Sequence, residues 1–158
     1  MIGARPRARR GGDEGNAIVE FVFVAVIVMM PLVYFVAGVA DIQRSRLAVS
    51  QAAREAGRAF ATAESSADGL ARAEVAIRLA LSDQGVTDRP AVAFVAAGSG
   101  CGAVAVAVAP RLEPGGEFTI CVTRSVQFPG VPTVLGGRGI TTVGQYVVHL
   151  DDYRTSRR

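Results

Sequence analysis

Gly15-Asn16-Ala17-Ile18-Val19-Glu20-Phe21 opens the stretch that decides how this chain is organised. It begins an apolar run with one charge, Glu20, near its start, and residues 21–40 carry no charge at all. Such a run crosses a bilayer as one helix, because about 20 residues at roughly 1.5 Å each match a hydrocarbon core of about 30 Å. Pro31 lies within it and is tolerated in a membrane helix as a kink. A carboxylate inside the head of such a segment is costly, which makes Glu20 a functional candidate. Arg5, Arg7, Arg9 and Arg10 upstream favour a cytoplasmic N-terminus by the positive-inside rule. The expected order is a basic leader over 1–15, a transmembrane helix over 16–40 and an exported C-terminal part.

Helical periodicity continues past Ala40. Ile42, Val49, Ala53, Ala56, Phe60 and Ala63 fit an a/d pattern, with Arg46 at its one polar position. Residues 41–63 therefore read as an amphipathic stalk, and a helix over 17–63 would be about 70 Å long. Ser65-Ser66-Ala67-Asp68 marks a break and a new N-cap. Leu70, Ala73, Ile77, Ala80 and Leu81 line one face of a second helix, Gly85 is its stop, and the two helices are expected to pair antiparallel.

The rhythm then changes. Residues 91–96, 103–109, 118–128 and 140–150 are valine-rich and bounded by Gly or Pro. Val104, Val106 and Val108 alternate strictly with alanine, a period of two that puts the valines on one face. Four strands in meander order, covered on one face by the second helix, make residues 64–150 a small exported α+β domain. Residues 151–158 form a polar tail.

Composition narrows the function classes. All 17 basic residues are arginine, and the formal net charge is +3. Residues 1–15 hold four of those arginines and two of the 14 acids, so the remainder is nearly neutral at 13 basic against 12 acidic. Without a basic stripe interleaved with aromatics, nucleic-acid binding is unsupported. His149 is a lone histidine near a strand end, with neither nucleophile nor orienting partner evident. Gly98-Ser99-Gly100-Cys101-Gly102 lacks the Lys-Ser/Thr ending of a phosphate loop, and Gly136-Gly137-Arg138-Gly139 is likewise a loop. Asp151-Asp152 lacks a third oxygen ligand for calcium. The expectation is a protein without catalytic residues, metal or cofactor.

Cys101 and Cys121 are the only cysteines. In an oxidising exterior an even count favours a disulfide, and two buried free thiols are the alternative. Two cysteines with one distant histidine do not make a zinc site. Glu20 also has two readings. The carboxylate either snorkels to water at the headgroup boundary, or pairs inside the membrane with a positive group of a neighbouring chain.

A basic leader, Gly15, four residues, then Glu20-Phe21 and an apolar helix resembles the class III signal of type IV pilin-like proteins. Pro31 and the stretch Ala52-Ala53-Arg54-Glu55-Ala56-Gly57-Arg58-Ala59 narrow the resemblance to TadE-like pseudopilins of the tight-adherence (Tad/Flp) pilus system. The resemblance covers residues 15 to about 60 and leaves TadE and TadF undivided. It implies that prepilin peptidase cuts between Gly15 and Asn16, leaving Glu20 and Phe21 as an assembly determinant of the processed chain. It also implies partners: other pilins or pseudopilins, the Tad secretion machinery and the membrane. The competing reading is a secreted binding domain whose Sec signal ends at Gly38-Val39-Ala40, before Asp41. Against it, the apolar run is longer than the usual 7–15-residue signal core and carries Glu20. An uncleaved single-pass anchor shares the topology but gives Gly15 no role.

Overall fold

A computed structural model of the chain describes residues 14–102, 105–127 and 139–153, with side chains from 17 onward. Most of the basic leader, residues 128–138 and the end of the tail lie outside the described residues. The elements are α1 (Glu14–Ala61), α2 (Ser66–Asp83), β1 (Ala91–Ala96), β2 (Glu117–Val126) and β3 (Ile140–His149). The class is α+β. Contacts divide the chain into two units, Met1–Ala37 and Gly38–Arg158.

In the first unit, α1 carries large apolar side chains that find no cover. Phe21 is 73% exposed and Phe35 65% exposed. The apolar window of α1 has a mean hydropathy of 2.6 and is 6% buried. Among the described residues this is the one helix long and apolar enough to cross a membrane.

The second unit begins at Gly38 and is built on alanine. Ala48, Val49, Ala52, Ala53, Ala56 and Phe60 of α1 are each fully buried. They join Ala73, Ile77, Ala80 and Leu81 of α2, and Phe118, Ile120, Val122 and Val148 of the sheet, in one core. Residues 41–63, expected as a stalk, therefore pack as part of the domain. The polar member of the buried stripe is Ser45 rather than Arg46, which is exposed. Ser45 Oγ lies 2.7 Å from Thr142 Oγ1, a buried hydrogen bond from helix to β3. A hydroxyl satisfies its bonding there at far less cost than a guanidinium would incur.

Helix and sheet approach closely because β3 lacks a side chain at one point. A Cβ on Gly144 would fall on the Val49 carbonyl. One on Gly57 of α1 would come within 2.5 Å of the Tyr146 ring. Phe60 fills the wider end, its ring centroid 5.0 Å from that of Phe118, with Phe94 6.0 Å from Phe118.

The break between the helices follows the expected signals. Ser65 Oγ accepts from Asp68 N–H at 3.2 Å, and Asp68 Oδ2 accepts from Glu64 N–H at 3.4 Å. The Arg72 guanidinium, 2.9 Å from Asp68, holds that carboxyl below the usual range. At the other end Val86 N–H donates to Leu81 O and Gly85 N–H to Ser82 O. That pairing is a Schellman stop, with Gly85 in the left-handed region at φ 71°.

The sheet has three strands in the order β1-β2-β3, both pairs antiparallel. The expected strand over 103–109 does not form one where it is described. Residues 105–109 make one bridge, Val95 with Ala107, supported by Ala96 N–H to Val106 O and Val108 N–H to Phe94 O. The reason is geometric. Cys101 is tied to the central strand and so lies over a sheet face. The chain must travel from there to the outer edge of β1 before it can pair. Pro110 then ends the pairing, having no N–H to offer. The expected alternation does not bury Val106, which is 65% exposed.

Candidate functional site

Two places carry the residues singled out from the sequence, and they belong to different units. In the first, Glu14, Gly15 and Asn16 supply the opening backbone of α1, so the Gly15–Asn16 bond lies in its first turn. Glu20 follows one turn on and is exposed, with Phe21 beside it. Among the described residues Glu20 has no ion pair and no hydrogen bond from another side chain. It is a lone carboxylate on a helix whose neighbours Ile18, Val19, Val22 and Phe23 are apolar and uncovered. Chemically this arrangement offers one negative charge and a hydrophobic surface. Nothing among the described residues satisfies either.

In the second place, Cys101 and Cys121 are joined as a disulfide with their Cα atoms 5.6 Å apart. Cys121 is buried in the middle of β2, between Ala93 of β1 and Gln145 of β3. It lies on the sheet face opposite the helices, and the bond holds the β1–β2 connection across that face. Thr119 and Val95 are buried on the same side, so β2 is covered on both faces. Thr119 Oγ1 is buried there without a hydrogen-bond partner among the described residues.

His149 pairs across β2 and β3 with Glu117, its Nδ1 2.6 Å from Glu117 Oε1. The pair is solvent-facing and sits at directly opposed positions in the ladder. Gly98 lies in a turn closed by Ser99 N–H to Ala96 O, and the residues from there to Gly102 form a loop. Asp151 Oδ1 accepts from Tyr153 N–H at 2.9 Å, a local turn. No group of three or more metal-ligating side chains occurs among the described residues.

Among the contacts that the sequence does not announce, two tie distant elements of the packed unit together. One is the Ser45–Thr142 bond, which the stripe could have disclosed, since Ser45 stands three and four residues before Ala48 and Val49. The other is the Arg124–Asp88 pair, where Arg124 Nε lies 2.8 Å from both carboxylate oxygens. Arg124 holds the Asp88 carboxyl below its usual range. The residues are 36 positions apart, so no local spacing signals the pair.

Compared with protein-family models, curated proteins and solved structures, the chain matches none.

Proposed function

We propose that this protein is a TadE-like pseudopilin, a minor pilin-like component in the assembly of a Tad/Flp-type pilus. The carrying observation is a lone carboxylate, Glu20, five residues after Gly15 at the head of an uncovered apolar helix. Prepilin peptidase cuts after Gly15 and frees the amine of Asn16. Glu20 then pairs inside the membrane with such an amine on a neighbouring pilin, which satisfies the charge, while Phe21 and the apolar side chains after it pack against that neighbour. The N-terminus starts in the cytoplasm, the helix is a single-pass anchor, and the unit from Gly38 lies outside the cell. The protein has no catalytic activity of its own.

Substitution of Glu20 separates this role from a snorkelling one. A charge near the interface costs at most about 3 kcal/mol. Glu20→Ala therefore still inserts and is still cleaved, yet does not support piliation in a strain lacking the wild-type copy. Normal piliation in that strain counts for the snorkelling carboxylate.

One observation favours the secreted domain with a Sec signal. The packed unit begins at Gly38, beside the small residues Gly38-Val39-Ala40. Against it, α1 runs unbroken through those residues. A signal-peptidase site needs an extended segment.

A further inference from the structure

The packed unit has a polar pocket of about 180 Å³ against the first residues of α1 that follow its apolar run. Asp41 and Arg44 form one wall, Gln84 behind α2 a second, and Arg124 near the end of β2 a third. Val86 and Val126, both buried, supply an apolar floor. The charges are held unequally. Arg124 has a side chain only 20% exposed and is fixed by Asp88 at 2.8 Å. Arg44 is 61% exposed and only loosely engaged by Asp41, at 3.8 Å. The pocket thus presents two guanidiniums, one held rigid through its Nε by Asp88 and one free to swing, with the Asp41 carboxylate in the lining beside them. Guanidinium groups bind phosphate through paired N–H donors. The Asp41 carboxylate accepts N–H bonds from an ammonium. This donor set suits a phosphate ester that carries a primary ammonium.

Position along the chain says where such a ligand comes from. Asp41 directly follows Ala40, the last residue of the uncharged run. At about 1.5 Å per residue, Arg44 stands only about 6 Å along the helix beyond that run. If residues 21–40 cross the bilayer, the pocket lies at the headgroup layer. We propose that it seats one phospholipid headgroup of ethanolamine type, with phosphate on Arg44 and Arg124 and ammonium on Asp41. The inference rests on the membrane-spanning part of the functional reading and is independent of pilus assembly.

The test uses the full chain in nanodiscs of equal phosphatidylethanolamine, phosphatidylglycerol and phosphatidylcholine, released into native mass spectrometry. The wild-type chain should retain one phosphatidylethanolamine. Arg44→Gln, on an exposed helix position, should lower retention at least tenfold without changing the melting temperature. Asp41→Asn should retain phospholipid but lose the preference for ethanolamine over choline, whose nitrogen has no N–H to donate. Equal retention by wild type and Arg44→Gln, or no retained lipid, overturns the proposal. Soluble probes separate the sources. Glycerophosphoethanolamine should displace the lipid from detergent-solubilised protein, and inorganic phosphate at the same concentration should not. Equal displacement by phosphate makes this a free-anion site and overturns the headgroup assignment. Alkaline extraction of membranes reads insertion separately, so a chain that binds glycerophosphoethanolamine yet is extracted fails only the membrane reading.

Discussion

The two halves of α1 are one continuous helix in which size and burial are inverted. Before Gly38 the side chains are large (Phe21, Phe23, Met29, Met30, Phe35), and all are more than half exposed. After it the inward-facing residues are mostly alanine and fully buried. Burial of apolar area stabilises by about 25 cal/mol per Å², so by hydrophobicity alone the first half should be the core. The second half is the core because small residues let a helix backbone approach a sheet at Gly144. The first half keeps bulk that the described residues leave uncovered. Its complement is an apolar solvent or an apolar partner. What distinguishes the halves is whether the partner is built into the same sequence.

The largest expected effect strikes the close approach. Gly144→Ala places a methyl on the Val49 backbone, which cannot give as a flexible side chain would. It should cost about 3 kcal/mol or more, seen as a lower urea midpoint for the solubilised protein. A near-neutral result would mean that α1 is not seated on β3 and would erase the difference between the halves.

The disulfide comes next, because it stabilises the second unit without touching α1. Closing a loop with a sequence separation of 20 is worth about 3 kcal/mol in the chain-entropy model. Cys101→Ser together with Cys121→Ser should lower the melting temperature of the packed unit and leave alkaline-resistant membrane association unchanged. Quantitative thiol labelling of the unreduced wild-type protein would contradict the bond.

A matched pair of enlargements sharpens the comparison. Ala53→Leu adds bulk to a fully buried seam and should destabilise by about 2 kcal/mol. Val26→Leu adds one methylene to an exposed position of the apolar half and should stay within about 0.5 kcal/mol. Similar effects at both sites would mean that both halves are packed alike.

Much of this contrast was legible in the sequence, and the exceptions have physical causes. The apolar run, the helix break at Ser65 and the strand over residues 91–96 follow from local chemistry. On α2, Ala73, Ile77, Ala80 and Leu81 are buried as their spacing suggested, while Leu70 is 40% exposed at the helix edge. Residues 41–63 read as a stalk but pack into the core, because an alanine stripe suits a helical partner and a sheet equally well. Spacing reveals a buried face but not what buries it. A spacing of seven from Ile42 to Val49 puts Arg46 in the seam, whereas the buried stripe runs through Ser45. The strand over 103–109 had the right alternation but was held short by its tether at Cys101, a constraint set 20 residues away in sequence. Glu20 was conspicuous as the only charge in its surroundings. Nothing among the described residues answers it, so the fold adds little to what its position already says.

The smallest effect concerns Asp88, which ties the loop after α2 to β2. Its carboxyl is held below the ordinary range by Arg124. A depressed carboxylate adds stability above its unfolded value, near pH 4, and that stability is lost as pH falls through the folded value. Asp88 is about half exposed, so the screened contribution is about 0.5 kcal/mol. Asp88→Asn should lower the urea midpoint slightly at pH 7, and the difference from wild type should shrink as the pH falls through the folded value and vanish below it. A difference that persists in acid would assign the effect to packing.

The mature N-terminus tests the central claim most directly, because it decides whether the apolar half of α1 stays with the packed half. Intact-mass and N-terminal sequencing of the protein from the membrane fraction of its own host should read Asn16 as the first residue. A chain beginning at Asp41 would contradict the account, for the apolar half would then be a discarded signal. A chain beginning at Met1 would contradict processing at Gly15 and leave a plain membrane anchor.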